Sequence, residues 1–173
     1  MPFKNVVLTG FMGTGKTAVS RELSHILGMK LVDIDTEIEK AEGRKIADIF
    51  AESGEAVFRD LETGTIRRCA RTGGQIISTG GGSVLSQENM DAMRETGMVF
   101  CLDASPETIL SRTSSSSERP LLQTADPLRR IIELLEYRRP YYEKAGIMID
   151  TENKTPHQVA EEIAERYRAD TQG

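Results

Sequence analysis

Short β-branched runs alternate with longer amphipathic stretches along most of the chain. Residues 5–9 (NVVLT) form a compact apolar run closed by Gly10, and past a glycine-rich stretch Val19, Leu23, Ile26 and Leu27 share one helical face that Gly28 ends. The order predicted there is strand, loop, helix. Residues 31–34 (LVDI) predict a second strand, followed by charged helical sequence from Thr36 to a break at Gly43. Ile46, Ile49 and Phe50, then Val57, Phe58, Leu61 and Ile66, predict further amphipathic helices. A third strand, 75–79 (QIIST), runs straight into Gly80-Gly81-Gly82. Ser86 is predicted to cap a helix carrying Met90 and Met93, with Gly97 closing it. Residues 98–102 (MVFCL) predict the most apolar strand, and 147–149 a fifth. Ser105-Pro106, Asp126-Pro127 and Thr155-Pro156 each place a capping side chain before a proline suited to the first helical position, which predicts three more helix starts.

Strands alternating with helices imply an α/β fold, a three-layer arrangement around a central five-stranded parallel sheet covered on both faces. No repeat of fixed period interrupts it. A chain of 173 residues is the length of one domain, expected to span 1–173, and can bury a core without staples. The one biased stretch is 113–124 (TSSSSERPLLQT), readable either as a flexible surface loop or as a lid beginning near residue 112.

Composition narrows the function classes. With 22 Lys+Arg against 27 Asp+Glu the formal charge is −5, which disfavours a protein that coats nucleic acid or anionic membrane. An anionic ligand would need locally placed positive groups. No apolar run approaches the ~18 residues of a membrane span, and the N-terminal one is too short for a signal-peptide core, so a cytoplasmic protein is expected. Cys69 and Cys101 have no Cys or His neighbour at metal-ligand spacing and are expected as buried thiols. His25 and His157 stand alone, which gives little support to a histidine-based triad.

The strongest chemical signal is Gly10-Phe11-Met12-Gly13-Thr14-Gly15-Lys16-Thr17, which satisfies G-x-x-x-x-G-K-[ST]. At average residue frequencies that spacing would arise by chance in about one such sequence in a hundred. It also follows a strand and opens a helix, where backbone N–H groups and the positive helix end gather around phosphates. Gly13, Thr14, Gly15, Lys16, Thr17 and Ala18 are therefore candidates to hold ATP, with Lys16 reaching the β and γ phosphates and the Thr17 hydroxyl on Mg²⁺. Gly13-x-Gly15-x-x-Ala18 with Asp33 beyond also fits a looser dinucleotide fingerprint, but that assignment leaves Lys16 and Thr17 without a role.

Asp33 and Asp35 lie at the carboxyl end of the second strand, where open α/β sheets place their ligands. If the strand persists to Asp35, alternation puts both carboxylates on one face, Asp33 holding Mg²⁺ through water and Asp35 accepting a substrate hydroxyl proton. The plainer alternative is a strand-to-helix cap with solvated carboxylates. Gly80, Gly81 and Gly82 permit close backbone approach to a ligand, or form a simple connection.

GxGKT, the DxD after the second strand, FRDLE at 58–62, TGGGSV at 79–84, ERPLL at 118–122 and RRPYY at 138–142 occur in this order and together resemble the shikimate kinases over nearly the whole chain. The resemblance implies transfer of a phosphoryl group from ATP, with Mg²⁺, to the 3-hydroxyl of shikimate by a P-loop enzyme; a monomer is expected. It implies that Asp35, Arg59, Gly81 and Arg138 hold shikimate, with Gly80 and Gly82 in the same loop, and that Phe50 and Phe58 wall the pocket. It places Arg119 on the phosphates, Asp33 on Mg²⁺ through water, and Arg112, Lys154 and Pro156 around adenine, so that Lys16, Asp35 and Arg119 form the catalytic set. Independently of the resemblance, shikimate's carboxylate calls for arginines in the pocket of a net-acidic protein, and Arg59 and Arg138 suit planar bidentate contacts. The competing expectations are another small-molecule kinase, such as a gluconate-type kinase, and a nucleotide-operated switch. Asn153-Lys154-Thr155-Pro156 lacks the aspartate of the guanine-reading N-K-x-D of such a switch.

Overall fold

The computed structural model describes residues 4–114 and 122–172. Five parallel strands, β1 (Asn5–Gly10), β2 (Lys30–Asp33), β3 (Gln75–Ser78), β4 (Gly97–Asp103) and β5 (Ile147–Asp150), form one sheet in the order β2-β3-β1-β4-β5. Each strand lies where the apolar runs predict it. The helices are α1 (Lys16–Leu27), α2 (Ile34–Glu42), α3 (Ile46–Ala70), α4 (Gln87–Thr96), α5 (Pro106–Thr113), α6 (Pro127–Ala145) and α7 (Pro156–Thr171).

Strand alternation divides the core into two layers. Val6 and Leu8 face one side, packing with Val19 and Leu23 of α1 and with Val159 and Ile163 of α7. Val7 faces the other, among Ile38, Ile49, Ile66, Met93 and Ile131 from α2, α3, α4 and α6. The central strands are buried on both faces, which is why β1, β3 and β4 read as continuous apolar runs rather than alternating ones.

The helix starts follow the capping signals. Ser86, Ser105, Asp126 and Thr155 each accept a hydrogen bond from a first-turn N–H, and Thr155 completes a reciprocal capping box with Gln158.

Three local expectations are corrected. The segments expected as separate helices between Ile46 and Ile66 run together as α3, broken only at Gly54, whose φ of 84° and ψ of 170° are open to glycine and leave the two halves at an angle. Gly97 does not close α4 with a left-handed turn; it is extended (φ −160°) and is the first residue of β4, so close to β1 that a Cβ would lie 2.6 Å from the Asn5 carbonyl oxygen. The second strand stops at Asp33, so Asp35 belongs to the first turn of α2.

The sheet order reverses direction at β1, which has β3 on one side and β4 on the other. The loops leaving β1 and β3 therefore part at the carboxyl edge and open a crevice between them. Cys69 and Cys101 are both buried free thiols. Among the described residues, no helix is long and apolar enough to cross a membrane.

Candidate active site

A cleft of about 410 Å³ occupies that crevice, lined by the phosphate loop, Asp33, Asp35, residues 78–81 and Arg112. A larger groove of about 650 Å³ lies between α3 and α4, edged by Arg67, Glu88 and Glu95, but it is remote from the phosphate loop. The smaller cleft holds the candidate chemistry.

β1 delivers the chain into the loop and α1 begins at Lys16. Gly10, Gly13 and Gly15 all have positive φ, and at Gly13 a Cβ would fall 2.6 Å from Thr113 Cγ2. A side chain is thus excluded at Gly10 and Gly13 by both conformation and space, and disfavoured at Gly15 by conformation. Gly15 occupies the N-cap of α1 without a capping side chain, and no acidic residue sits in the first turn, so this helix end offers its N–H groups and positive dipole to an anion. Thr14 Oγ1 ties the loop together by donating to the Phe11 carbonyl at 2.7 Å. The Lys16 ammonium arches back over the loop, donating to the carbonyls of Gly10 (2.6 Å) and Phe11 (2.9 Å). Thr17 and Ala18 line the cleft beside it.

Asp33 and Asp35 do face the same cleft, though not through strand alternation. Asp33 is the N-cap of α2, its Oδ1 accepting from Thr36 N (2.8 Å) and Thr36 Oγ1 (2.9 Å). The capping geometry and the functional position coincide in one residue. Asp35, two residues on, has a buried Oδ1 without a hydrogen-bond partner. Burial, reinforced by the neighbouring carboxylates Asp33 and Glu62 and opposed by Lys16, raises its pKa to about 6.

The triglycine turn after β3 is where the remaining groups meet. A Cβ on Gly80 would lie 3.4 Å from Glu62 Oε2 and 3.7 Å from Asp35 Oδ1; on Gly81, 3.1 Å from the Gly10 carbonyl and 3.5 Å from Arg138 Nη1; on Gly82, 2.4 Å from Arg59 Nη2. Three successive glycines thus let the backbone pass between an acid, the phosphate loop and two arginines.

Arg59 is held on α3 by Glu62, which accepts from its Nη1 at 2.8 Å, and by Glu55 at 3.4 Å. Its guanidinium also lies 5.2 Å from the centre of the Phe58 ring, which stacks on Phe50 at 4.7 Å. Arg138, on α6, is 7% exposed and sits 5.8 Å from the Phe11 ring, with its Nε buried and unpartnered. A buried cation with an unmet donor suits an anionic ligand.

On the other side of the phosphate loop, Arg112 reaches three carbonyl or hydroxyl oxygens: Gly13 O (3.4 Å), Thr151 Oγ1 (3.0 Å) and Thr151 O (3.3 Å). It joins α5, the loop and the β5–α7 connection. The Lys154 amine donates to Asp150 O (2.9 Å) and Glu162 (3.0 Å), bracing that connection from within. Pro156 is exposed at the start of α7. Arg119, and most of the segment read as a lid, lie outside the described residues.

Two participants were missed by sequence reasoning. Glu62 is fully buried, receiving Arg59 and the Ser83 hydroxyl (2.9 Å), and its i,i+3 spacing from Arg59 was the available signal. Glu152 accepts from Ser105 N (3.1 Å) and from the Thr108 hydroxyl at the start of α5, contacts that hold its carboxyl below the usual range. No local pattern announces that contact across more than forty residues.

The shikimate kinase family model matches residues 12–168. A shikimate kinase of Thermodesulfovibrio yellowstonii is 49% identical over 164 residues, covering 95% of each chain, and one of Persephonella marina is 47% identical over 165 residues, covering 95% of this chain and 99% of the relative. Among solved structures, a shikimate kinase from Acinetobacter baumannii in complex with shikimate superposes with a TM-score of 0.91 at 32% identity, over 97% of this chain and 94% of that one. The Aquifex aeolicus enzyme superposes with a TM-score of 0.82 at 35% identity, over 96% and 98%. A sugar kinase from Janibacter, at 22% identity and a TM-score of 0.63, shares the fold. The likeness extends over the fold and nearly the whole length of the chain, and by it the chain belongs to the shikimate kinase family.

Proposed function

We propose that the protein transfers the γ-phosphoryl group of ATP to the 3-hydroxyl of shikimate, giving shikimate 3-phosphate and ADP, a step toward chorismate and the aromatic amino acids. The observation that carries this reading is the meeting, at one triglycine turn, of a phosphate loop, a desolvated carboxylate and two arginines. The chain is taken to act as one catalytic domain, a cytoplasmic monomer working on a small molecule rather than on nucleic acid or membrane.

The loop amides from Gly13 to Ala18 and the Lys16 ammonium hold the ATP phosphates, and Arg112, Lys154 and Pro156 border the base. The donor set also fits Mg²⁺: the Thr17 hydroxyl and the Asp33 carboxylate are hard oxygen groups that both line the cleft, Thr17 suited to hold the ion and Asp33 to reach it through water. Bound with ATP, Mg²⁺ supplies positive charge against the negative charge that gathers on the transferred group. Arg59 and Arg138 grip the acceptor's carboxylate, Phe50 and Phe58 wall its ring, and Gly80, Gly81 and Gly82 bring backbone against it. Asp35 orients the acceptor hydroxyl, and its raised affinity for a proton suits it to accept that proton as the phosphoryl group departs from ADP. The contribution of this chain is therefore positioning and charge compensation.

ADP release with Mg-ATP, measured against shikimate, quinate, gluconate and nucleoside monophosphates, tests the reading. Turnover with shikimate well above the others is expected. ADP formation only with a competing acceptor would overturn it.

A further inference from the structure

Tyr142 lies on α6 one turn beyond Arg138, on the same face, and is only 5% exposed. Its hydroxyl crosses to the substrate turn and donates to the Gly81 carbonyl at 2.7 Å. The Arg138 guanidinium lies against the same glycine, its Nη1 3.5 Å from where a Gly81 Cβ would be, and its charge acts on the Tyr142 hydroxyl. Burial pushes the phenol up to about 12, so the donor is present at any pH at which the protein is used.

Glycine residues have no side chains with which to hold a turn. Within 80–82 the backbone contact Ser83 N to Gly80 O (3.2 Å) fixes the first residue, and Leu85 N to Gly82 O (3.1 Å) fixes the third. The middle carbonyl is held from α6. Because a peptide unit is planar, fixing the Gly81 oxygen also fixes the direction of the Gly82 N–H. The same turn abuts the Gly10 carbonyl on one side and Arg138 on the other.

We infer that Tyr142 is a positioning residue for the acceptor: its single hydroxyl sets the Gly81–Gly82 peptide and the Arg138 guanidinium in register, so that the acceptor pocket is assembled before substrate arrives. Tyr142 itself touches neither ATP nor the reacting hydroxyl. The inference rests on the shikimate reading above, and shikimate turnover by the unaltered protein tests that reading separately.

The experiment is steady-state kinetics of Tyr142→Phe, which keeps the ring and removes the hydroxyl, with each substrate varied in turn. Loss of one neutral hydrogen bond at the pocket should raise KM for shikimate about three- to tenfold. KM for ATP and kcat should stay within about twofold of the unaltered protein, since uniform acceptor binding is what is lost. Tyr142→Met, of similar bulk and likewise without the hydroxyl, gives the same comparison if the phenylalanine variant is unstable. Lower thermal stability with both KM values unchanged would overturn the inference by making Tyr142 a brace for the fold alone. Equal increases in both KM values would overturn it too, by showing general loosening of the cleft.

Discussion

At the phosphate end of the cleft the proposed binding groups are the backbone amides from Gly13 to Ala18 and the Lys16 ammonium, all from one continuous stretch of chain. At the acceptor end they are side chains gathered from α2, α3 and α6 around a turn that contributes no side chain at all. The first needs only a strand, a glycine-rich turn and a helix to be correct; the second needs four distant pieces of chain to be correct together. The difference teaches where tolerance should lie. Phosphate binding should respond to changes of backbone conformation and of one charge, whereas acceptor binding should respond to the shape and hydrogen-bond geometry of each arginine.

The largest expected effect is at Lys16. Lys16→Ala removes the charge proposed to sit beside the transferred group, and kcat should fall on the order of 10²-fold or more. Circular dichroism should show an intact fold, because the Lys16 ammonium donates to the loop carbonyls of Gly10 and Phe11 and its side chain is no part of the apolar core. Near-normal turnover in the folded variant would break the assignment of the phosphate end.

Next come the arginines. Arg138→Lys retains a charge but loses the planar fork, and a charge-assisted bond is worth about 1.5 to 3 kcal/mol, so KM for shikimate should rise roughly ten- to hundredfold while KM for ATP changes much less. Arg59→Lys should act in the same direction but more weakly, because Arg59 is 31% exposed at its side chain and retains solvent where Arg138 does not. A larger effect on ATP than on shikimate in either variant would erase the distinction between the two ends.

These two regions also differ in how much of them the sequence reveals. The phosphate loop is contiguous, so glycine spacing and the flanking strand and helix were sufficient to place it. The two arginines carry no local signature; each alone reads as a solvated surface residue, and only their place in an ordered series of motifs distinguishes them. Asp33 and Asp35 were assigned to the cleft through strand alternation, yet they reach it because Asp33 caps α2 and turns Asp35 inward. The position was legible and its geometry was not, since a cap and a strand end look alike over three residues. Glu62 and Tyr142 were inside quoted motifs but acquired meaning only when α3 and α6 were seen to converge on the glycine turn.

A smaller effect concerns Asp35 in the metal- and nucleotide-free protein. Its folded pKa of about 6 lies above the ordinary 3.8, so the folded state holds this proton more tightly than the unfolded chain does. This contribution to stability is therefore present at low pH and declines as pH rises from about 4 to about 6. Asp35→Asn should flatten that part of the pH–stability curve measured by thermal denaturation. An unchanged curve would place Asp35 in a solvated setting and weaken its role at the acceptor hydroxyl.

The smallest effect belongs to His157, an exposed residue in the first turn of α7. It lies on α7 between Glu22 of α1 (3.0 Å) and Glu161 (3.4 Å), and these carboxylates raise its pKa above 6.5, the hydrogen bond to Glu22 foremost. The stabilisation is fully present below the unfolded-state pKa and is lost as pH rises through the folded one. His157→Gln should abolish this slight dependence of Tm on pH and leave both KM values unchanged. A change in either KM would mean that the back of α1 communicates with the cleft.

The central claim, that the acceptor end reads a carboxylate through its arginines, is tested most directly by a thermodynamic cycle. Affinity for shikimate and for an analogue lacking the carboxylate is measured in the unaltered protein, in Arg138→Lys and in Arg59→Lys. The analogue should lose most of its affinity in the unaltered protein and suffer little further penalty in either variant, because the interacting partner is already gone. Equal, additive penalties for the analogue in all three proteins would contradict the claim.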